Sequence, residues 1–186
     1  MSLLIGFPNQ VFTPNLRLGL YHESGDKLQW IIPDLPWKTS GATGIASNGK
    51  WIYVSYQKAG LAVYDFGFQI RQFYEYKFVN DPHSLKFYKD NILVVSSGTN
   101  EIYKLFLDDK GFADHEELFW RPADLNKTQK DLIHVNSLSV SKNGEVFITL
   151  FGNKNPKGWE KTLCGELVNI SSNQVILRGL QNPHTA

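Results

Sequence analysis

The stretch that decides the fold is Asp81-Pro82-His83-Ser84-Leu85-Lys86-Phe87-Tyr88, followed by the turn Lys89-Asp90-Asn91 and the run Ile92-Leu93-Val94-Val95-Ser96. It reads as a small polar residue, an aliphatic residue, a short polar turn and then a hydrophobic strand. Its core phrase, His83-Ser84-Leu85, has counterparts in Thr43-Gly44-Ile45, Asn136-Ser137-Leu138 and His184-Thr185-Ala186. From Ile45 to Leu85, Leu138 and Ala186 the steps are 40, 53 and 48 residues. A period of about 40–50 residues carried by short strands is the signature of a β-propeller. No segment of ten or more residues carries a 3.6 period, although a helical turn fits within 123–132.

Each unit has the same parts. In the first, 43–46 form an inner strand that leads through Ser47-Asn48-Gly49 into Trp51-Ile52-Tyr53-Val54-Ser55-Tyr56. The Asn-Gly pair predicts a tight hairpin, since both residues accept positive φ. Gly60 starts Leu61-Ala62-Val63-Tyr64-Asp65, and an alternating segment over 70–78 completes four strands, which make one blade. Inner strands at 84–88 and 137–140 open the second and third units. The second strands are nearly continuous apolar runs, which predicts burial on both faces between neighbouring blades. The expected architecture is all-β, one partial β-propeller domain over 1–186. Its blades are 1–40 (partial, read as the outer part of a blade), 41–80, 81–130, 131–181, and 182–186 as the start of the next. In the first, Leu16-Arg17-Leu18-Gly19-Leu20-Tyr21-His22 pairs with Lys27-Leu28-Gln29-Trp30-Ile31-Ile32. About three complete four-stranded blades do not close a ring, so the reading expects a truncated propeller that self-associates through bare blade faces.

Composition narrows the function classes. With 42% hydrophobic and 20% charged residues the chain can bury a core and is not a solvating, disordered one. A net charge of +1 with scattered Lys and Arg is a poor match to a phosphate backbone, so no nucleic-acid partner is expected. No run of 18 apolar residues is present, and no membrane partner is expected. The single cysteine, Cys164, excludes an intrachain disulfide and reads as a buried small residue beside Gly165. The first eight residues lack the basic region of a signal peptide, which makes the cytoplasm the expected compartment and the sequons at Asn126 and Asn169 chance occurrences.

The second half resembles an uncharacterised, mostly bacterial family of propeller-like proteins known by a domain of unknown function. The residues that carry the resemblance are His134-Val135-Asn136-Ser137-Leu138, Phe147-Ile148-Thr149-Leu150-Phe151-Gly152, Gly158-Trp159, Gly165-Glu166-Leu167 and Asn182-Pro183-His184-Thr185. More loosely, the repeated Pro-His-Ser phrase resembles streptogramin-lyase and NHL-type propellers. The resemblance implies the fold and brings no assigned reaction.

Superposing the repeats aligns two ring positions. One holds Thr43, His83, Asn136 and His184; the other, two residues earlier, holds Gly41, Asp81, His134 and Asn182. In a propeller both lie where the chain enters the innermost strand, at one mouth of the central channel. The side chains there either cap strand starts by bonding nearby backbone groups or form a polar ligand site, with a divalent metal as one possible cofactor. The expected ligand-binding residues are Asp81, His83, His134, Asn136 and His184, together with Trp159. Trp159 lies in the longest inserted loop (152–162), where it either stacks on a ligand or packs on a blade edge. Asp131, His134 and Ser137 invite a triad reading, but Gly-x-Ser-x-Gly is absent and no hydrolytic triad is expected. The leading expectation is a scaffold binding a small polar or carbohydrate-like ligand at the channel mouth. The alternatives are a metal-dependent lyase or lactonase, and a protein-interaction platform. The inner-strand Glu common in lactonase-type propellers is not visible here.

Overall fold

The computed structural model describes residues 2–8, 18–32, 34–35, 39–123, 125 and 130–184. The expected positions Leu16, Arg17, Thr185 and Ala186, the Asn126 sequon, and residues 124 and 126–129 of the helical turn within 123–132 lie outside these. Strands β1 (Ser2–Gly6), β2 (Leu18–His22) and β3 (Lys27–Ile31) form a three-stranded antiparallel sheet. Three four-stranded antiparallel sheets follow in chain order. The second sheet is β4 (Ala42–Ser47), β5 (Ile52–Tyr56), β6 (Gly60–Tyr64) and β7 (Ile70–Glu75). The third is β8 (Pro82–Tyr88), β9 (Asn91–Ser96), β10 (Glu101–Leu107) and β11 (Ala113–Trp120). The fourth is β12 (Val135–Val140), β13 (Val146–Leu150), β14 (Gly165–Asn169) and β15 (Gln174–Leu180). Each sheet is a meander, and the inner strands β4, β8 and β12 lie side by side.

Period-2 alternation explains why the sheets stack. On β5, Ile52, Val54 and Tyr56 face the first sheet, while Tyr53 faces the third. On β9, Ile92 and Val94 join the core shared with the second sheet, and Leu93 and Val95 the core shared with the fourth. Both faces of these strands are therefore dry, as their continuous apolar runs require. Each such side chain contributes about 1.5–3 kcal/mol by leaving water, and three separate inter-sheet cores hold four sheets together.

The first sheet meets the second where β1 ends, with Ala42 N–H donating to Phe7 O at 3.2 Å. Two expectations are corrected. The Asn-Gly links are not hairpins with two positive φ values. Only Gly49 (φ 83) and Gly144 (φ 81) are left-handed, and Asn48 Oδ1 instead accepts from the N–H groups of Lys50 and Trp51 at 3.0 and 2.8 Å. That side-chain turn spends the Asn as an acceptor and lengthens the link. Cys164 is exposed, because it precedes β14 in a loop, with its thiol 3.7 Å from the Phe151 and Asn153 carbonyls.

Candidate functional site

The inner strands begin in the same irregular way. Pairing skips from Ala42 to Gly44 in β4, from Pro82 to Leu85 in β8 and from Val135 to Ser137 in β12. Each skip is a β-bulge, and Thr43, His83 and Asn136 sit in them without a ladder partner. A bulge re-aims the side chain it carries. Immediately before each bulge, Asp81 and His134 take left-handed φ of 48 and 47°, as does Asn182 at 44°. The carbonyls at this ring position accept from the residue after the second strand. Gln57 N–H donates to Gly41 O at 2.9 Å, Ser97 N–H to Asp81 O at 3.2 Å, and Phe151 N–H to His134 O at 3.2 Å. Backbone thus closes on backbone in three repeats.

That leaves the side chains free to bond one another. Asn136 Nδ2 lies 3.2 Å from His83 Nδ1, and His83 Nε2 faces Asp81 Oδ2 at 3.5 Å, an electrostatic contact longer than a good hydrogen bond. Gln57 Nε2 donates to the other Asp81 oxygen at 3.1 Å. This chain of contacts runs from the second sheet through the third to the fourth. The His83 interaction, opposed by partial burial and helped by Gln57, holds the Asp81 carboxyl below the usual carboxylate range. The His134 ring stands edge-on to His83 with centroids 4.8 Å apart, and its Nδ1 meets Asp131 Oδ1 at 2.7 Å.

Phe151 and Trp159 wall the cluster on the other side. Their centroids are 4.7 and 5.0 Å from that of His134, and Phe151 in turn meets the His184 ring edge-on at 5.2 Å. Trp159 Nε1 donates to Asp131 Oδ2 at 3.3 Å, which ties the long loop to the cluster. Asn182, with its amide nitrogen turned inward, donates to the Trp159 and Thr162 carbonyls at 3.0 and 3.3 Å. Burial and then the neighbouring His83 and His134 push the His184 imidazole below its ordinary value. Three of the chain's five histidines therefore meet at one place. A cleft of about 830 Å³ opens beside them, lined by Gln57, Tyr76, Asn80, Asp81, His83 and His134 among others.

The structure brings Asp81, His83, His134, Asn136, His184 and Trp159 into one neighbourhood. Thr43 stays apart, its hydroxyl 3.5 Å from Ser55 O. Ser137 does not join His134: it is buried, with Oγ 2.8 Å from Thr149 Oγ1. Among the described residues no group of three or more His, Cys, Asp or Glu side chains is placed to hold a metal ion. Sequence reasoning missed Gln57 and Phe151, and it met Asp131 only as a triad member. The signal for the first two was positional, since each follows the last residue of the second strand in its repeat.

Solved propellers share this architecture. The Dos1 propeller superposes with a TM-score of 0.57 at 14% identity, over 95% of this chain and 47% of its own. A putative gluconolactonase gives 0.62 at 12% identity, over 92% and 59%. A catalytically inactive virginiamycin B lyase from Staphylococcus aureus, solved with quinupristin, gives 0.57 at 10% identity, over 92% and 52%. The chain spans about half the length of these proteins. Comparison with family models and with curated proteins finds no match. At such identities the likeness establishes the fold: the four sheets correspond to part of a β-propeller.

Proposed function

We propose that this part of a propeller binds a small polar, carbohydrate-like ligand where the inner strands begin. One observation carries the reading. Polar side chains at equivalent positions of successive repeats meet each other, while the backbone groups they were candidates to cap are already satisfied by backbone. A strand cap spends its polar atoms on the adjacent turn; His83 and Asn136 spend theirs on each other, across two sheets. The cluster offers directional donors and acceptors beside the rings of Phe151 and Trp159. That combination suits a ligand with hydroxyls on its edges and an apolar face.

The test is ligand-observed NMR with a panel of monosaccharide methyl glycosides, on the whole chain and on His134→Ala. Saturation transfer to at least one sugar in the wild type, lost in the variant while its thermal transition persists, supports the reading. Equal transfer in both proteins places binding elsewhere, and no transfer to any sugar removes carbohydrate as the ligand class.

A further inference from the structure

We propose that Asp131 locks His134 as the Nδ1–H tautomer, so that Nε2 is presented to the cleft as an acceptor that selects ligands donating a hydroxyl. This rests on the binding reading above. It deepens that reading by naming the ligand's hydrogen-bonding sense: a neutral polyol, as opposed to a group that only accepts.

The argument begins with the carboxylate. An ionised carboxylate only accepts, so the nitrogen 2.7 Å from Asp131 Oδ1 carries the proton. In a neutral imidazole the other nitrogen, Nε2, then has the lone pair. Asp131 is itself held in place. Its N–H donates to Gly98 O at 3.2 Å, its backbone is left-handed at φ 44°, and its second oxygen accepts from Trp159 Nε1 at 3.3 Å. Turning the carboxylate away from His134 would break the bond to Trp159 as well. The same acid therefore orients both the imidazole and the indole.

The two imidazoles of the cleft differ in what they have left to offer. His83 has a partner at each nitrogen, Asn136 at Nδ1 and Asp81 at Nε2. His134 Nε2 makes no hydrogen bond among the described residues, yet it is not a buried orphan, and the ring lines the cleft. A ligand hydroxyl reaching Nε2 completes the site. A ligand group that only accepts sets lone pair against lone pair. Asp131 is a positioning residue in this arrangement, since it acts through His134.

The experiment reads the tautomer first, without any ligand, by long-range 1H–15N correlation of the imidazole rings at neutral pH. The expected wild-type pattern has the proton on His134 Nδ1 and a bare Nε2. Asp131→Asn, whose amide oxygen still accepts, keeps that pattern; Asp131→Ala loses it. A proton on Nε2 in the wild type, or an unchanged pattern in Asp131→Ala, overturns the proposal whatever binds. If Asp131→Ala does not fold, the wild-type pattern and Asp131→Asn still decide. Next, methyl glycosides and their fully O-methylated counterparts are titrated in turn. A shift of the Nε2 resonance with the free glycosides, and affinity about five- to tenfold weaker or lost after methylation, supports selection of a donor. Equal response to both sets overturns the selection, and response to neither overturns the binding reading while the tautomer result stands.

Discussion

At the start of β4 the chain places Gly41, Ala42 and Thr43 where β8 has Asp81, Pro82 and His83 and β12 has His134, Val135 and Asn136. All three stretches bulge before the inner strand, and in all three the first residue's carbonyl accepts the same backbone bond. The first stretch does this with almost no polar side chain. The bulge therefore belongs to the fold and does not need Asp, His or Asn. What β8 and β12 add is a set of side chains that bridge sheets and line a cleft.

The largest effect is expected where the comparison is broken from beneath. Leu85 is 1% exposed and follows the bulge in β8. Leu85→Ala empties the core between the second and third sheets and is expected to cost about 2–5 kcal/mol by thermal or denaturant unfolding. A cost near zero would mean that these sheets do not pack as described. His134→Ala should cost about 1–3 kcal/mol, because Asp131 loses its partner in a mostly buried setting. Giving β8 the furniture of β4, with Asp81→Gly and His83→Thr together, should change stability by only about 1 kcal/mol. Glycine relieves the left-handed position while the side-chain bonds are lost. A loss of several kcal/mol would show that these side chains are structural caps after all.

Two smaller effects sharpen the same contrast. A double-mutant cycle on His83→Ala and Asn136→Ala should return a coupling of about 0.5–1.5 kcal/mol, the worth of one neutral hydrogen bond; Thr43→Ala paired with Asn136→Ala should return none. The acid limb of stability should also report the cluster. His184 has its folded value lowered by burial and by His83 and His134, so the unfolded chain binds its proton first and stability falls as pH drops below the ordinary histidine range. The folded Asp81 carboxyl is likewise lowered. Its contribution is present above the ordinary carboxylate value and is lost as pH falls through the lowered one. Stability curves of wild type, His184→Ala and Asp81→Asn between about pH 3 and 8 separate the two windows. An unchanged curve in both variants would refute this.

Much of the fold was legible because strand burial writes itself into sequence. The runs Ile52-Tyr53-Val54 and Leu93-Val94-Val95 are apolar at every position, as burial of both strand faces between two sheets requires. The ring alignment was legible too, since a repeat returns the same turn with small changes. What escaped is what depends on bonds between distant segments. Nothing near Gln57 marks it as the Asp81 partner 24 residues on. Asp131 looked like a member of a triad because its neighbour Ser137 is close in sequence, whereas its real second partner is Trp159 in a loop 28 residues away. Cys164 read as buried because Gly165 opens a strand, but β14 begins at Gly165 itself and leaves the cysteine exposed in the preceding loop.

The central claim is that equivalent positions of successive repeats converge on one polar cluster. Inter-ring nuclear Overhauser effects on a sample with labelled histidine and aromatic side chains test it most directly. The account requires cross-peaks between the His83 and His134 rings, whose centroids are 4.8 Å apart, and between the Phe151 and His184 rings at 5.2 Å. His83→Ala should remove the first pair and keep the second. Assigned imidazole signals with no contact to each other or to Phe151 would contradict the account, because the repeats would then share a backbone device and no site.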